Sequence, residues 1–236
     1  MIKNASLGVI VPFYNEERFL LQSVSRLLDV KIVEQIVLVD DCSEDNSYSI
    51  AESILEKSNK ISLIKTDKNG GKGYAVQKGL EFITTSHILV HDADLEYFPE
   101  DIPEIFNSLS DFENCLVIGS RTVGDKKRKN LYFYTYFGNK VLSLLFSIIN
   151  NYKISDIASC YWLVNANKLR SKDLRERGFG IEVEVLSKFL KNNVDIVEVP
   201  IRYEARSYQD GKKIKLKDGI IILLKILKYS KLKIFN

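Results

Sequence analysis

The stretch His87-Ile88-Leu89-Val90-His91-Asp92-Ala93-Asp94 decides the fold. A short apolar run with no polar alternation reads as a strand covered on both faces, and such strands belong to parallel sheets. It stops at two carboxylates one residue apart. The same pattern recurs upstream: residues 7–11 end at Pro12 and the polar turn Asn15-Glu16, residues 35–39 end at Asp40-Asp41, and residues 61–65 form a third strand. Downstream, residues 115–119 lead into Arg121. Helical spacing fills the intervals: 16–28, then 47–57 capped by Ser43 or Asp45, then 70–82 and 99–110. This alternation predicts an α/β chain with a Rossmann-like, mostly parallel mixed sheet. In open sheets of this kind the ligand crevice lies outside the carboxyl ends of the strands. Four strands therefore aim polar residues at one place.

The second half reads differently. Asp125-Lys126-Lys127-Arg128-Lys129 is a dense basic run, followed by the aromatic block 131–137 and an apolar helical segment over 141–149. A strand over 161–164, a helix over 182–190 and a strand over 194–199 follow, and the tail from Lys212 is basic and amphipathic. With no internal repeat and no low-complexity linker, residues 1–236 read as one domain.

Composition narrows the function classes. Thirty-four Lys and Arg against 31 Asp and Glu leave a net charge of +3, which excludes a generally basic nucleic-acid coat. Cys42, Cys115 and Cys160 are widely spaced and odd in number, so neither a disulfide framework nor a structural zinc site is expected, and a reducing, cytoplasmic setting fits. No secretory signal opens the chain, and no run of about 18 apolar residues could span a bilayer.

Asp92 and Asp94 can address one Mg²⁺ or Mn²⁺, with Glu96 as a third carboxylate, because these ions take oxygen ligands and bridge to phosphates. The alternative is a solvated turn; the convergence of four strands favours the metal. Asp41 can accept hydrogen bonds from a base or ribose, or share in capping the next helix. Gly70-Gly71-Lys72-Gly73 lacks the P-loop spacing, so it reads as a tight turn and only weakly as a phosphate cradle. His87 and His91 share one face of a strand with no nucleophile elbow nearby, and read as packing residues. Lys126–Lys129 and the aromatics after them are either a solvated face over core or a surface for anionic lipid headgroups. The amphipathic tail, with Lys225, Lys228, Lys231 and Lys233, would add to the latter.

Val11-Pro12-Phe13-Tyr14-Asn15-Glu16, Val39-Asp40-Asp41, Gly71-Lys72-Gly73, Asp92-Ala93-Asp94 and Gly119-Ser120-Arg121 occur in the order seen in family 2 glycosyltransferases of the GT-A fold. Over roughly residues 6–213 the chain most resembles dolichyl- or polyprenyl-phosphate hexose synthases. The resemblance implies a nucleotide-sugar-binding half over 6–121, an acceptor half over 122–213 and the basic tail over 214–236. It implies that Pro12, Tyr14, Glu16, Val39, Asp41 and Lys72 hold the donor. Asp92, Ala93 and Asp94 would carry the metal and diphosphate, Arg121 would meet the acceptor phosphate, and Arg206 with Lys212 would close over the phosphates. Asp156 opens a segment that many relatives write Asp-x-x-Ser-Gly-Phe-Arg; here Cys160 replaces the glycine and Trp162 the arginine.

The expected activity is metal-dependent, inverting hexose transfer from a GDP-mannose or UDP-glucose type donor to polyprenyl phosphate, at the cytoplasmic face of a membrane. One alternative is transfer to a hydroxyl of a surface polysaccharide or glycolipid, for which Asp156 is the candidate base. Another, of a different class, is a nucleotide-sugar-binding protein without catalysis. The sequence sets no oligomeric state.

Overall fold

The computed structural model describes residues 5–129, 132–207 and 216–230. Its centre is a seven-stranded sheet. In chain order the strands are β1 (Leu7–Phe13), β2 (Val33–Asp40), β3 (Ile61–Lys65), β4 (His87–Val90), β5 (Cys115–Ser120), β7 (Trp162–Asn165) and β8 (Asp195–Pro200). Two short strands, β6 (Arg128–Lys129) and β9 (Tyr203–Glu204), pair separately. The order across the main sheet is β3-β2-β1-β4-β7-β5-β8. All neighbours run parallel except β7, which is antiparallel to both β4 and β5. The mixed, mostly parallel sheet expected from the apolar runs is what forms.

Strand alternation sorts the core into two layers. Val9, Val11, Leu38, Leu89, Val117 and Leu163 face one way, toward α1 (Leu20–Leu28), α2 (Ser47–Leu55) and α4 (Ile102–Asn107). Ile10, Val37, Val39, Ile88, Ile118 and Val164 face the other way. That layer is closed by α3 (Lys72–Leu80), α5 (Phe133–Asn150), α6 (Ile181–Lys191) and α7 (Leu216–Tyr229). Both faces of the central strands are therefore dry, which is why they read as unbroken apolar runs.

His87 and His91 lie in the first layer, as packing residues. His87 Nε2 is 2.8 Å from the carbonyl of Phe112. His91 is fully buried, with Ser23 Oγ 3.0 Å from Nε2 and Tyr161 Oη 2.8 Å from Nδ1. Burial disfavours the imidazolium and pushes the pKa of His91 down to about 4. The unfolded chain takes up this proton near pH 6.5, the folded one only near 4. The stability it contributes is complete above pH 6.5 and is lost as pH falls through about 4, an expected decline of about 3 kcal/mol. His87 is shifted in the same direction, by burial. Urea midpoints between pH 7 and 4 check this: His91→Asn should flatten the decline, and parallel curves for the two proteins would refute it.

Candidate active site

The carboxyl ends of β1, β2, β4 and β5 open into one cleft of about 380 Å³. Pro12, Tyr14 and Glu16 come from the end of β1, Asp41 from β2, Asp92, Ala93 and Asp94 from β4, and Arg121 from β5. Lys72 enters from the start of α3, and Glu96 and Arg206 close the rim. The convergence drawn from the strand ends thus exists in three dimensions.

Asp41 is buried and accepts from the backbone N–H groups of Gly70 (2.9 Å) and Gly71 (2.7 Å). The anion at this helix start is therefore Asp41 itself, and the glycine turn is needed for close approach. Gly71 has φ +90°, and a Cβ there would come within 2.8 Å of the Arg177 carbonyl oxygen. Burial raises the Asp41 pKa against the lowering effect of those two amides.

Each carboxylate of the Asp92/Asp94 pair faces a cation. Lys72 Nζ is 2.9 Å from Asp92 Oδ1, and an Arg206 guanidinium nitrogen is 3.3 Å from Asp94 Oδ2. Burial, and after it the neighbouring charges of Glu96 and Asp92, push the Asp94 pKa up to about 7. Burial works against the Lys72 charge, yet Asp92 and Glu182 hold its pKa well above the usual lysine value. A turn with two oxygen-donor side chains, crowded by further negative charge and open to the cleft, fits a hard divalent cation. Glu96 lies near enough to crowd Asp94, but its carboxylate is engaged at the rim of the cleft. Its Oε2 accepts from Tyr203 Oη at 2.5 Å and its Oε1 from the Arg206 backbone at 2.9 Å, so it serves the rim. Among the described residues no group of three or more His, Cys, Asp or Glu forms a ready metal cage.

Arg121 and Asp156 are locked together. Asp156 is fully buried and accepts from Arg121 Nε (2.8 Å), Nη2 (2.7 Å) and backbone N (2.9 Å), and from Asn139 Nδ2 (2.8 Å). Burial would raise its pKa, but the Arg121 charge and these bonds hold it below the usual carboxylate range. A carboxylate so enclosed holds Arg121 in place and is poorly disposed to take a substrate proton. The Arg121 guanidinium also lies over Tyr203, 5.0 Å from the ring centre.

Val39 is not in the cleft. Strand alternation turns it into the layer under α3, where it packs beside Gly79 and Ile10. Lys212, Lys231 and Lys233 lie outside the described residues. Trp162, where many relatives carry arginine, points into the second core layer, and Cys160 is buried with its thiol bonded to Asp92. Two members of the basic run have carboxylate partners within the protein: Lys126 pairs with Asp101 and Glu104, and Lys129 with Glu204. Arg128 donates to the Arg121 carbonyl and lies over Tyr136. Lys225 and Lys228 both pair with Glu176. Glu182, at the start of α6, was not anticipated, although it lines the cleft with its Oε1 2.9 Å from Lys72 Nζ. Two acids, Glu182 and Glu184, in the otherwise apolar stretch 178–186 were the available signal.

The glycosyl transferase family 2 model matches residues 8–171, which include nearly all of β1, the whole of β2 to β5 and the Asp92/Asp94 turn. The chain belongs to that family. This family 2 glycosyltransferase is 29% identical to the UDP-N-acetylglucosamine–dolichyl-phosphate N-acetylglucosaminyltransferase of Methanococcus voltae, over 94% of this chain and 96% of that one. It is 30% identical to the dolichol-phosphate mannosyltransferase of Pyrococcus furiosus, over 87% of this chain but 58% of the relative. Glucosyl-3-phosphoglycerate synthase of Mycobacterium tuberculosis, solved with Mn²⁺, UDP-glucose and phosphoglyceric acid, shares the GT-A fold. Its TM-score is 0.72 at 15% identity, over 95% of this chain and 79% of that one. Among the described residues of this glycosyltransferase, no helix is long and apolar enough to cross a membrane.

Proposed function

We propose that this glycosyltransferase moves a sugar from a nucleotide-diphosphate donor to polyprenyl phosphate at a membrane surface, with Mg²⁺ or Mn²⁺ held by Asp92 and Asp94. The observation that carries the acceptor is helix α5, which is inside out. Its buried residues are Asn139, Ser143, Phe146 and Asn150, while Phe133, Phe137, Leu144 and Ile148 are exposed. Helix α7 packs against it and adds exposed Ile220, Ile221 and Leu224, with Ile222 on the cleft wall. Exposed apolar residues on two packed helices, one of which also lines the cleft, suit a lipid acceptor whose chain lies in a bilayer. Two relatives named for dolichyl- or dolichol-phosphate transfer support the same reading. Three unpaired cysteines are consistent with the cytoplasmic face.

The chemistry follows from charge. As the glycosidic bond breaks, the leaving diphosphate gains negative charge; a divalent cation on Asp92 and Asp94 supplies Lewis-acid stabilisation there. Arg206, already on the cleft wall between Glu16 and Asp94, adds a fixed positive charge. Arg121, held by Asp156, faces the acceptor phosphate. That phosphate is already anionic, so attack at the anomeric carbon needs no strong base, and attack from the face opposite the leaving group inverts it. The enclosure of Asp156 weighs against the hydroxyl-acceptor alternative, which relied on it as base.

A thermal-shift screen with Mn²⁺ against GDP-mannose, UDP-glucose and UDP-N-acetylglucosamine tests the donor, since a ligand at 100 times its Kd adds about 2.7 kcal/mol. The donor that stabilises should then be turned over with a short prenyl phosphate. Transfer to free oligosaccharides and none to prenyl phosphate would give the function to the hydroxyl-acceptor alternative.

A further inference from the structure

Lys72 serves two carboxylates at once. Its Nζ is 2.9 Å from Asp92 Oδ1 and 2.9 Å from Glu182 Oε1, and the lysine and glutamate side chains are only 12% and 6% exposed. Three elements meet in this contact: Asp92 follows β4, Lys72 opens α3 and Glu182 opens α6. The loop before α6 is docked on the turn that carries Lys72, because the Tyr74 backbone donates to the Arg177 carbonyl at 2.9 Å. The other half of the site repeats the arrangement. Arg206 reaches Asp94 at 3.3 Å while both its terminal nitrogens bond Glu16, at 2.8 and 3.0 Å. Each carboxylate of the pair thus faces a cation that a second carboxylate partly claims. Such a cation orients its aspartate without fully neutralising it.

We infer that Lys72 and Glu182 are positioning residues that set the negative charge of Asp92, and through it the affinity of the Asp92/Asp94 pair for a divalent cation. Lys72 withdraws charge from Asp92; Glu182 draws the ammonium aside and restores part of it. This inference rests on the metal reading above and adds a role for a glutamate on a different element. It requires opposite signs for the two single substitutions, which a merely structural role does not.

Binding of Mn²⁺ alone, read from the free-ion paramagnetic resonance signal, is the test. Glu182→Gln should weaken Mn²⁺ binding about tenfold, because Lys72 then pairs with Asp92 undivided. Lys72→Met should tighten it by about the same factor, and the double variant should return toward wild type. Lys72→Gln, which keeps a hydrogen-bond donor between the two carboxylates, should shift binding in the same direction and serves if Lys72→Met does not fold. Weaker binding in both the Lys72 and Glu182 variants, with wild type binding normally, would overturn this inference alone. No Mn²⁺ uptake by wild type would remove the metal reading and this inference together.

Discussion

Asp94→Ala is expected to lower sugar transfer by about a thousandfold or more and to abolish metal-dependent donor binding, with the metal-free fold as stable as wild type. The carboxylate contributes little to folding. Its Oδ1 accepts one backbone N–H, from Glu96 at 3.2 Å, and its other partner, Arg206, is held bidentately by Glu16. Burial and the crowding of Glu96 and Asp92 push its pKa to about 7, so the folded chain gains nothing from its charge until a cation arrives. The reaction depends on it far more. Removing one preorganised group that stabilises developing charge typically costs about 10²–10³ in rate, and loss of the ion it holds adds to that. Calorimetry with Mn²⁺ and nucleotide, single-turnover transfer and a melting curve together check the three parts. Wild-type donor affinity with Mn²⁺ in this variant would sink the metal assignment.

The central strands were legible in the sequence for a physical reason. A strand dry on both faces has no polar alternation, so residues 35–39 and 87–90 announced themselves, as did the acids at their ends. The segments that hide are those whose pattern answers to something other than the core. Helix α5 begins at Phe133, eight residues before its expected start, because its buried face is built mainly from polar residues, which apolar spacing does not register. Asn139 reaches Asp156 and the Ser143 hydroxyl accepts from the Ile157 backbone. Val39 was placed at the donor by resemblance, yet period two puts it on the same face as Val37, in the core. Glu182 could not be paired with Lys72 from spacing, since 110 positions separate them and only the docking of the α6 loop on the glycine turn joins them. Similarly, the charge of Lys126 and Lys129 could be counted in the sequence, but not their partners Asp101, Glu104 and Glu204.

Those partners change what a membrane experiment should find. The combined variant Phe133→Gln, Phe137→Gln, Leu144→Gln, Ile148→Gln is expected to lose about 4 kcal/mol of vesicle affinity, nearly a thousandfold. Each side chain contributes about 1 kcal/mol, because they are 77%, 58%, 59% and 67% exposed and full burial of such a group gives about 1.5–3 kcal/mol. The same exposure means the fold should hardly notice, apart from the stacked Phe133 and Phe137 rings. Binding of the wild type should respond less to salt than the count of basic residues suggests, since Lys126, Lys129, Lys225 and Lys228 already have carboxylate partners. A surface carried by the basic run would instead fade as the Debye length shrinks from about 10 Å at 0.1 M to about 3 Å at 1 M. Transfer separates docking from chemistry. With a short water-soluble prenyl phosphate the variant should work nearly as well as wild type, because the replaced side chains are not on the cleft wall. With a long prenyl phosphate in vesicles, transfer should fall in step with flotation. Unchanged flotation would take the bilayer away from α5, and loss of transfer to the soluble acceptor would assign the stripe to the acceptor site itself.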